Sequence, residues 1–128
     1  MEEVVRSKLL GTAPIAALVQ TRIDWGERSQ GTTLPAIVLH LISDIPEMKM
    51  AGPSGWSDAR VQVDNIGRTI MDAVRVRRAV LAAMLAWYET IDGKKYRAFV
   101  IDSSTNPDTD QTGTLHRARL DLRISYQS

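Results

Sequence analysis

A chain of 128 residues is the length of one domain, residues 1–128, and can bury roughly two-thirds of its unfolded surface around one core. It has no cysteine, which excludes Cys nucleophiles, thiolate metal sites, thiol redox chemistry and disulfide staples. Sixteen basic residues against fifteen acidic ones leave a formal charge of +1, without the global basic excess of a nucleic-acid binder.

The first residues, Met1-Glu2-Glu3-Val4-Val5-Arg6, are acidic and amphipathic, unlike a secretory signal. No apolar run approaches the ~20 residues that span a bilayer, so the expectation is a soluble, untargeted protein with no membrane partner. Val4, Val5, Leu9 and Leu10 recur at helical spacing, and Gly11 stops this helix. Thr12 and Pro14 suit a second helical start, with Ile15, Leu18 and Val19 on its apolar side. Arg22 to Trp25 reads as a short strand, followed by a polar loop from Gly26 to Thr33.

Leu34 to Ser43 is apolar on both faces, the pattern of a strand buried on both sides, with Pro35 at its start. A long connection follows, with Gly52-Pro53-Ser54-Gly55 as its expected tip. Asp58 to Asp64 alternates: Ala59, Val61 and Val63 face one way, and Asp58, Arg60, Gln62 and Asp64 the other. That is a half-exposed strand. Thr69-Ile70-Met71-Asp72 has the form of a capping box with Asp in place of Glu, and predicts a helix to about Glu89, with Gly93 beyond its end. Its apolar sector is wide. Ile70, Val74, Leu81, Leu85 and Tyr88 line one face, and Ala73, Val76, Val80, Ala83 and Trp87 its neighbour, as in a helix lying flat on a sheet. Tyr96 to Asp102 is a further strand, and Ser103 to Gly113 a polar loop. In the closing segment Leu115 to Gln127, Ala118, Leu120, Leu122, Ile124 and Tyr126 alternate with Arg117, Arg119, Asp121, Arg123 and Ser125. One face meets a core and the other is wet.

Catalytic and metal chemistry find little to stand on. His40 lies inside an apolar strand, where a satisfied core or interface histidine is the simplest reading, and His116 reads as a surface residue beside a loop. Two isolated histidines without HExxH spacing make a poor zinc site. Asp108 to Gly113 matches the first six positions of an EF-hand loop, but Arg119 stands where the bidentate Glu belongs, so it reads as a turn. The glycine-rich tip lacks the Gly-Lys-Ser/Thr of a phosphate cradle. The expectation is a protein with no catalytic residues, no cofactor and no metal: not an enzyme.

Two surface features remain. Arg68, Arg75, Arg77 and Arg78 cluster around the long helix, while Arg117, Arg119 and Arg123 stripe one face of the last strand. A solvated surface with some ion pairing accounts for them. The functional reading is contact with acidic neighbours or with DNA, for which Arg75, Arg78, Arg117, Arg119 and Arg123 are the candidates. Trp25, Met48, Met50 and Trp56 lie in or beside expected loops, and four such residues together suggest a protein–protein surface.

Pattern and composition thus predict an α+β domain. Its mixed, mostly antiparallel sheet has about four main strands, with the long helix and the N-terminal helix packed on one face. The order Leu34-Pro35-Ala36, apolar run, acidic-proline corner at Asp44 and Pro46, Gly-Pro-Ser-Gly tip and Arg60-Val61-Gln62-Val63-Asp64 resembles the small tail-completion proteins of long-tailed bacteriophages, also called tail terminators or head-tail joining proteins. The leading helix, long helix and two closing strands extend the resemblance over nearly the whole chain. It implies a virion protein that forms a homo-oligomeric ring, a hexamer, at the head-proximal end of the tail. Its partners would be further copies of itself, the tail tube protein and head-tail connector proteins, with DNA only as cargo through the lumen. Assembly would take place in the bacterial cytoplasm, and prophages and gene-transfer particles carry similar proteins. Where that family is expected to hold an aromatic before the glycine tip, this chain has Met48 and Met50. The competing reading is a small nucleic-acid-associated protein that uses its arginine-bearing faces.

Overall fold

The computed structural model describes residues 1–26, 34–106 and 116–127. Three helices, α1 (Glu2–Leu10), α2 (Ala13–Val19) and α3 (Ile70–Met84), accompany six strands: β1 (Ile23–Trp25), β2 (Ala36–Lys49), β3 (Gly52–Gly67), β4 (Tyr88–Ile91), β5 (Lys94–Asn106) and β6 (His116–Gln127). The strands form one sheet in the order β1-β2-β3-β6-β5-β4. All pairings are antiparallel except the parallel β1–β2 pair at one edge. The sheet therefore has six strands rather than about four, because two short strands flank the four long ones.

One buried cluster unites these elements. Val5 and Leu9 of α1, Ile15 and Val19 of α2, and Val76, Val80 and Met84 of α3 join Leu39, Val63, Leu120 and their neighbours on the sheet. Cross-strand register places Leu39 opposite Val63 and Val63 opposite Leu120, so the core row runs straight across the sheet. The closing strand behaves as its alternation predicts. Ala118, Leu120, Leu122 and Ile124 are fully buried, while Arg117 and Arg123 are exposed. On the core side Trp87 stacks on Tyr96, and Tyr96 on Tyr126, with ring centroids 6.2 and 6.1 Å apart.

The junction from β3 into α3 is tight. A Cβ on Gly67 would lie 2.7 Å from the backbone nitrogen of Ala73, so only glycine fits without displacing the helix start. Thr69 caps α3 as expected, its Oγ1 accepting from the backbone N–H of Asp72 at 3.1 Å.

Several expectations differ from the structure. The long helix ends at Met84, not near Glu89, and Ala86 takes a left-handed φ of 63° just past its end. The residues beyond form β4, and Asp92-Gly93, both at positive φ (52° and 78°), make the tight turn into β5. Of the two apolar helix faces, the one bearing Ala73, Val76 and Val80 is core, whereas Ile70, Leu85 and Tyr88 are exposed. The strand expected over Leu34–Ser43 continues to Lys49, and it is buried only as far as Leu39. The Gly52–Gly55 stretch is not the tip of the connection but the start of β3. Lys49 pairs with Gly52, leaving Met50 and Ala51 at the turn. Most of the polar loops expected at 26–33 and 103–113, including the EF-hand-like stretch, lies outside the described residues. Ser103 to Asn106 belongs to β5.

Candidate assembly surfaces

The first surface is the β2–β3 ribbon. Its strands stay paired from Leu41 to Lys49 and from Gly52 to Val61, with two irregularities, between Leu41 and Ser43 and between Pro46 and Met48. A strand buried on both faces at its root becomes exposed on both faces along this ribbon. Leu41, Ile42, Ile45 and Met48 are 41, 58, 63 and 66% exposed, and Met50 at the turn stands fully in solvent. Five large apolar side chains exposed along one strand and its turn are a candidate contact surface.

Side chains of β6 tie into both strands of the ribbon. The Tyr126 hydroxyl donates to Asp44 Oδ2 at 2.6 Å, reaching across β3 from β6 to β2. Burial, then the Asp44 carboxylate, push the Tyr126 phenol up to about 12, so it remains a neutral donor. Asp58 accepts from the Ser125 hydroxyl on the other face.

The second surface is the sheet face away from the core. Asp64, fully buried on this face, lies among polar groups that the register brings to it. Arg119 Nε is 3.4 Å from Oδ1, and Arg117 Nη1 and His40 Nε2 are 4.0 and 3.3 Å from Oδ2. Gln62 Nε2 donates to the same carboxylate at 3.2 Å. A buried carboxylate with this many partners is a locking contact between β2, β3 and β6, because losing one partner exposes the desolvation cost of the charge. Further along the same face, Arg97 lies over the rings of Trp56 and Tyr88 at 5.3 and 5.4 Å, and Arg123 over Phe99 at 4.5 Å. Trp56, Arg97, Phe99, Arg123, Glu47 and Lys49 border one open hollow.

The residues singled out from the sequence therefore fall into separate places. Met48 and Met50 lie together at the ribbon's end, and Trp56 lies on the ribbon's β3 strand beside Arg97. Trp25 is elsewhere: it packs half-buried against the core, its indole N–H donating to the Glu2 carbonyl at 3.1 Å. Arg117 and Arg119 are engaged with Asp64, and Arg123 with Phe99. Arg75, 3.8 Å from Asp72, and Arg78 sit on α3, across the core from those three, so the arginines do not merge into one basic track. His40 is not a core residue but a partly exposed flank of Asp64. Among the described residues no group of three or more His, Asp or Glu side chains could hold a metal, and no helix is long and apolar enough to cross a membrane.

The Asp64 cluster and the Tyr126–Asp44 tie have only weak signals in the sequence. Asp64 alternates with surface residues and reads as wet, and its burial depends on the register that sets Arg119 opposite it and Val38 on its other side.

Comparison with known proteins accords with this architecture. A family model described as tail completion protein gp17 matches residues 3–127. No curated protein matches the sequence. Among solved structures, a chain from the virion of a native gene transfer agent particle superposes with a TM-score of 0.72 at 15% identity, covering 97% of this chain and 92% of that one. At that identity the likeness is one of fold.

Proposed function

From the premise that this chain belongs to the tail completion protein family, and so is a structural tail protein of a phage-type virion, we propose that it closes the head-proximal end of the tail as a ring of six copies. The ring would stop polymerisation of the tail tube and offer its other side to the head-tail connector, with DNA passing through the lumen as cargo. The observation that carries this reading is the outer half of the β2–β3 ribbon, where Leu41, Ile42, Ile45, Met48 and Met50 are exposed along β2 and its turn while Ala59 and Val61 of β3 join a well-packed core. Exposed apolar side chains in a row like this suit a surface covered by another subunit or by the tube. A ring follows when the surface contacted on a neighbour differs from the surface offered, and the rotation closes.

The mechanism is geometric. Tube growth needs an end that accepts another layer, and a cap that binds that end while presenting a different surface removes it. The partners in this reading are further copies of the chain, the tube protein and the connector. The site is the virion, assembled in the host cytoplasm. Nucleic-acid binding as the main role is less well supported, because Asp64 and Phe99 occupy the arginines of β6 and α3 carries its own on the far side of the core. The test is to mix the protein with purified, uncapped tail tubes and image them. Density at one tube end and arrested elongation support the reading. Tubes that keep growing with bare ends refute it.

A further inference from the structure

The sheet has two free edges, at its opposite ends and on opposite sides of one row. On one edge β1 covers β2 only from Ile37 to Leu39, with Gly26 N–H donating to the Leu39 carbonyl, so from His40 onward β2 has no outer neighbour among the described residues. On the other edge β4 covers β5 from Lys94 to Arg97, and Ala98 N–H reaches the Trp87 carbonyl, so from Phe99 onward β5 has no outer neighbour among the described residues. Each edge carries exposed apolar side chains, Ile42 and Ile45 on β2 and Phe99 and Ile101 on β5. The row Leu41–Val61–Leu122–Val100 crosses the whole sheet between them, and each edge has its irregularity next to that row, at Ile42 and at Ile101. Free β2 extends away from the row in one direction, and free β5 in the other.

Resting on the ring reading above, we propose that neighbouring copies join by strand pairing, the free β2 edge of one copy forming an antiparallel ladder with the free β5 edge of the next. Three antiparallel pairings separate β2 from β5, so the two strands run in opposite directions. A rotation about an axis near the strand direction brings them side by side still antiparallel. The two edges differ from each other, so the contact is head-to-tail and can be repeated by every copy. Because the free segments lie on opposite sides of the common row, docking displaces each copy along the strands relative to its neighbour. A closed ring accommodates that displacement by tilting its strands, as the shear of a β-barrel does. Pairing would satisfy the open N–H and C=O groups of both edges and cover Ile42, Ile45, Phe99 and Ile101 together.

The chain has no cysteine, which makes the test direct. Single cysteines are placed at Ile42, Ser43 or Ile45 on β2 and at Phe99, Ile101 or Ser103 on β5, and combined pairwise in one chain. Within one copy β3 and β6 separate the two positions by three strand spacings, about 14 Å, beyond the ~7 Å Cα separation a disulfide tolerates. Oxidation is followed by denaturing gel electrophoresis, with native mass spectrometry of the same samples. The proposal expects at least one β2/β5 pair to give a ladder of covalent oligomers ending at the closed ring, and the two corresponding single variants, mixed, to give dimers only. Closed oligomers by native mass with no β2/β5 cross-link across the panel would overturn the edge pairing and leave the ring standing. Protein that stays monomeric both alone and on tubes would overturn the ring, and the edge pairing with it.

Discussion

Tyr126 and Asp44 are joined by a 2.6 Å hydrogen bond that spans β3, tying β6 to the exposed stretch of β2. The phenol is pushed up from 10.0 to about 12 by burial and by the carboxylate, so the folded state holds this proton more tightly than the unfolded chain does. The stabilisation linked to it is therefore complete below pH 10 and disappears as pH rises through 12. Tyr126→Phe should lower stability at neutral pH by about 1 kcal/mol, the usual worth of one such bond. It should also flatten the decline between pH 10 and 12, as read from urea midpoints across that range. An unchanged alkaline decline in the variant would show that other groups set it.

The facing of β6 gives a second prediction. Leu122 is fully buried and Arg123, next to it, is exposed beside Phe99. Leu122→Asp places an unpaired carboxylate in the core at a cost of several kcal/mol, and should leave the chain unfolded at room temperature. Arg123→Asp should change the melting temperature by only a few degrees. Circular dichroism of both variants checks this.

Two backbone positions should respond with opposite signs. Gly67→Ala forces a methyl group into the start of α3, and should cost about 1–3 kcal/mol as the strand-to-helix junction shifts. Ala86→Gly relieves a left-handed φ of 63°, and should stabilise by about 1 kcal/mol. Thermal melts of the pair, which differ only in backbone demands, decide the matter.

Much of the sheet is legible in the residue pattern, and the failures have physical causes. The alternation from Ala118 to Ile124 reads directly as a strand with one buried face, because one side of β6 meets the core along its length. The ribbon is harder to read, because Leu41, Ile42 and Ile45 are as apolar as Ile37 and Leu39. Composition cannot separate burial in the subunit's own core from exposure along a projection. Leu85, Trp87 and Tyr88 keep helical spacing, so the pattern alone carries α3 past its end at Met84. The Asp92-Gly93 pair is a competing hairpin signal, and it wins because β4 and β5 can pair. Asp64 shows the limit most plainly. Its burial and its contacts with Arg117, Arg119 and His40 arise from cross-strand register, which a single strand's pattern does not contain.

Folding and assembly should separate at the ribbon. Met48 and Met50 are exposed, and Trp56 is half-buried under Arg97, so their removal leaves the core cluster intact. Met48→Ser with Met50→Ser, or Trp56→Ala, should shift the melting temperature by a few degrees at most while weakening ring closure or tube capping about tenfold or more, as anchors of an interface do. Sedimentation velocity beside thermal melting reads both. Loss of the fold would place these residues in the core's support. Full retention of assembly would move the contact away from the ribbon's end.

The central claim, that this chain closes a tail by forming a ring, is tested most directly by native mass spectrometry of the purified protein, alone and after recovery from tail tubes. One closed oligomer, a hexamer, is expected in free solution or on the tube ends. A protein that is monomeric in both samples, or that forms an open series of oligomers without a preferred size, would contradict it.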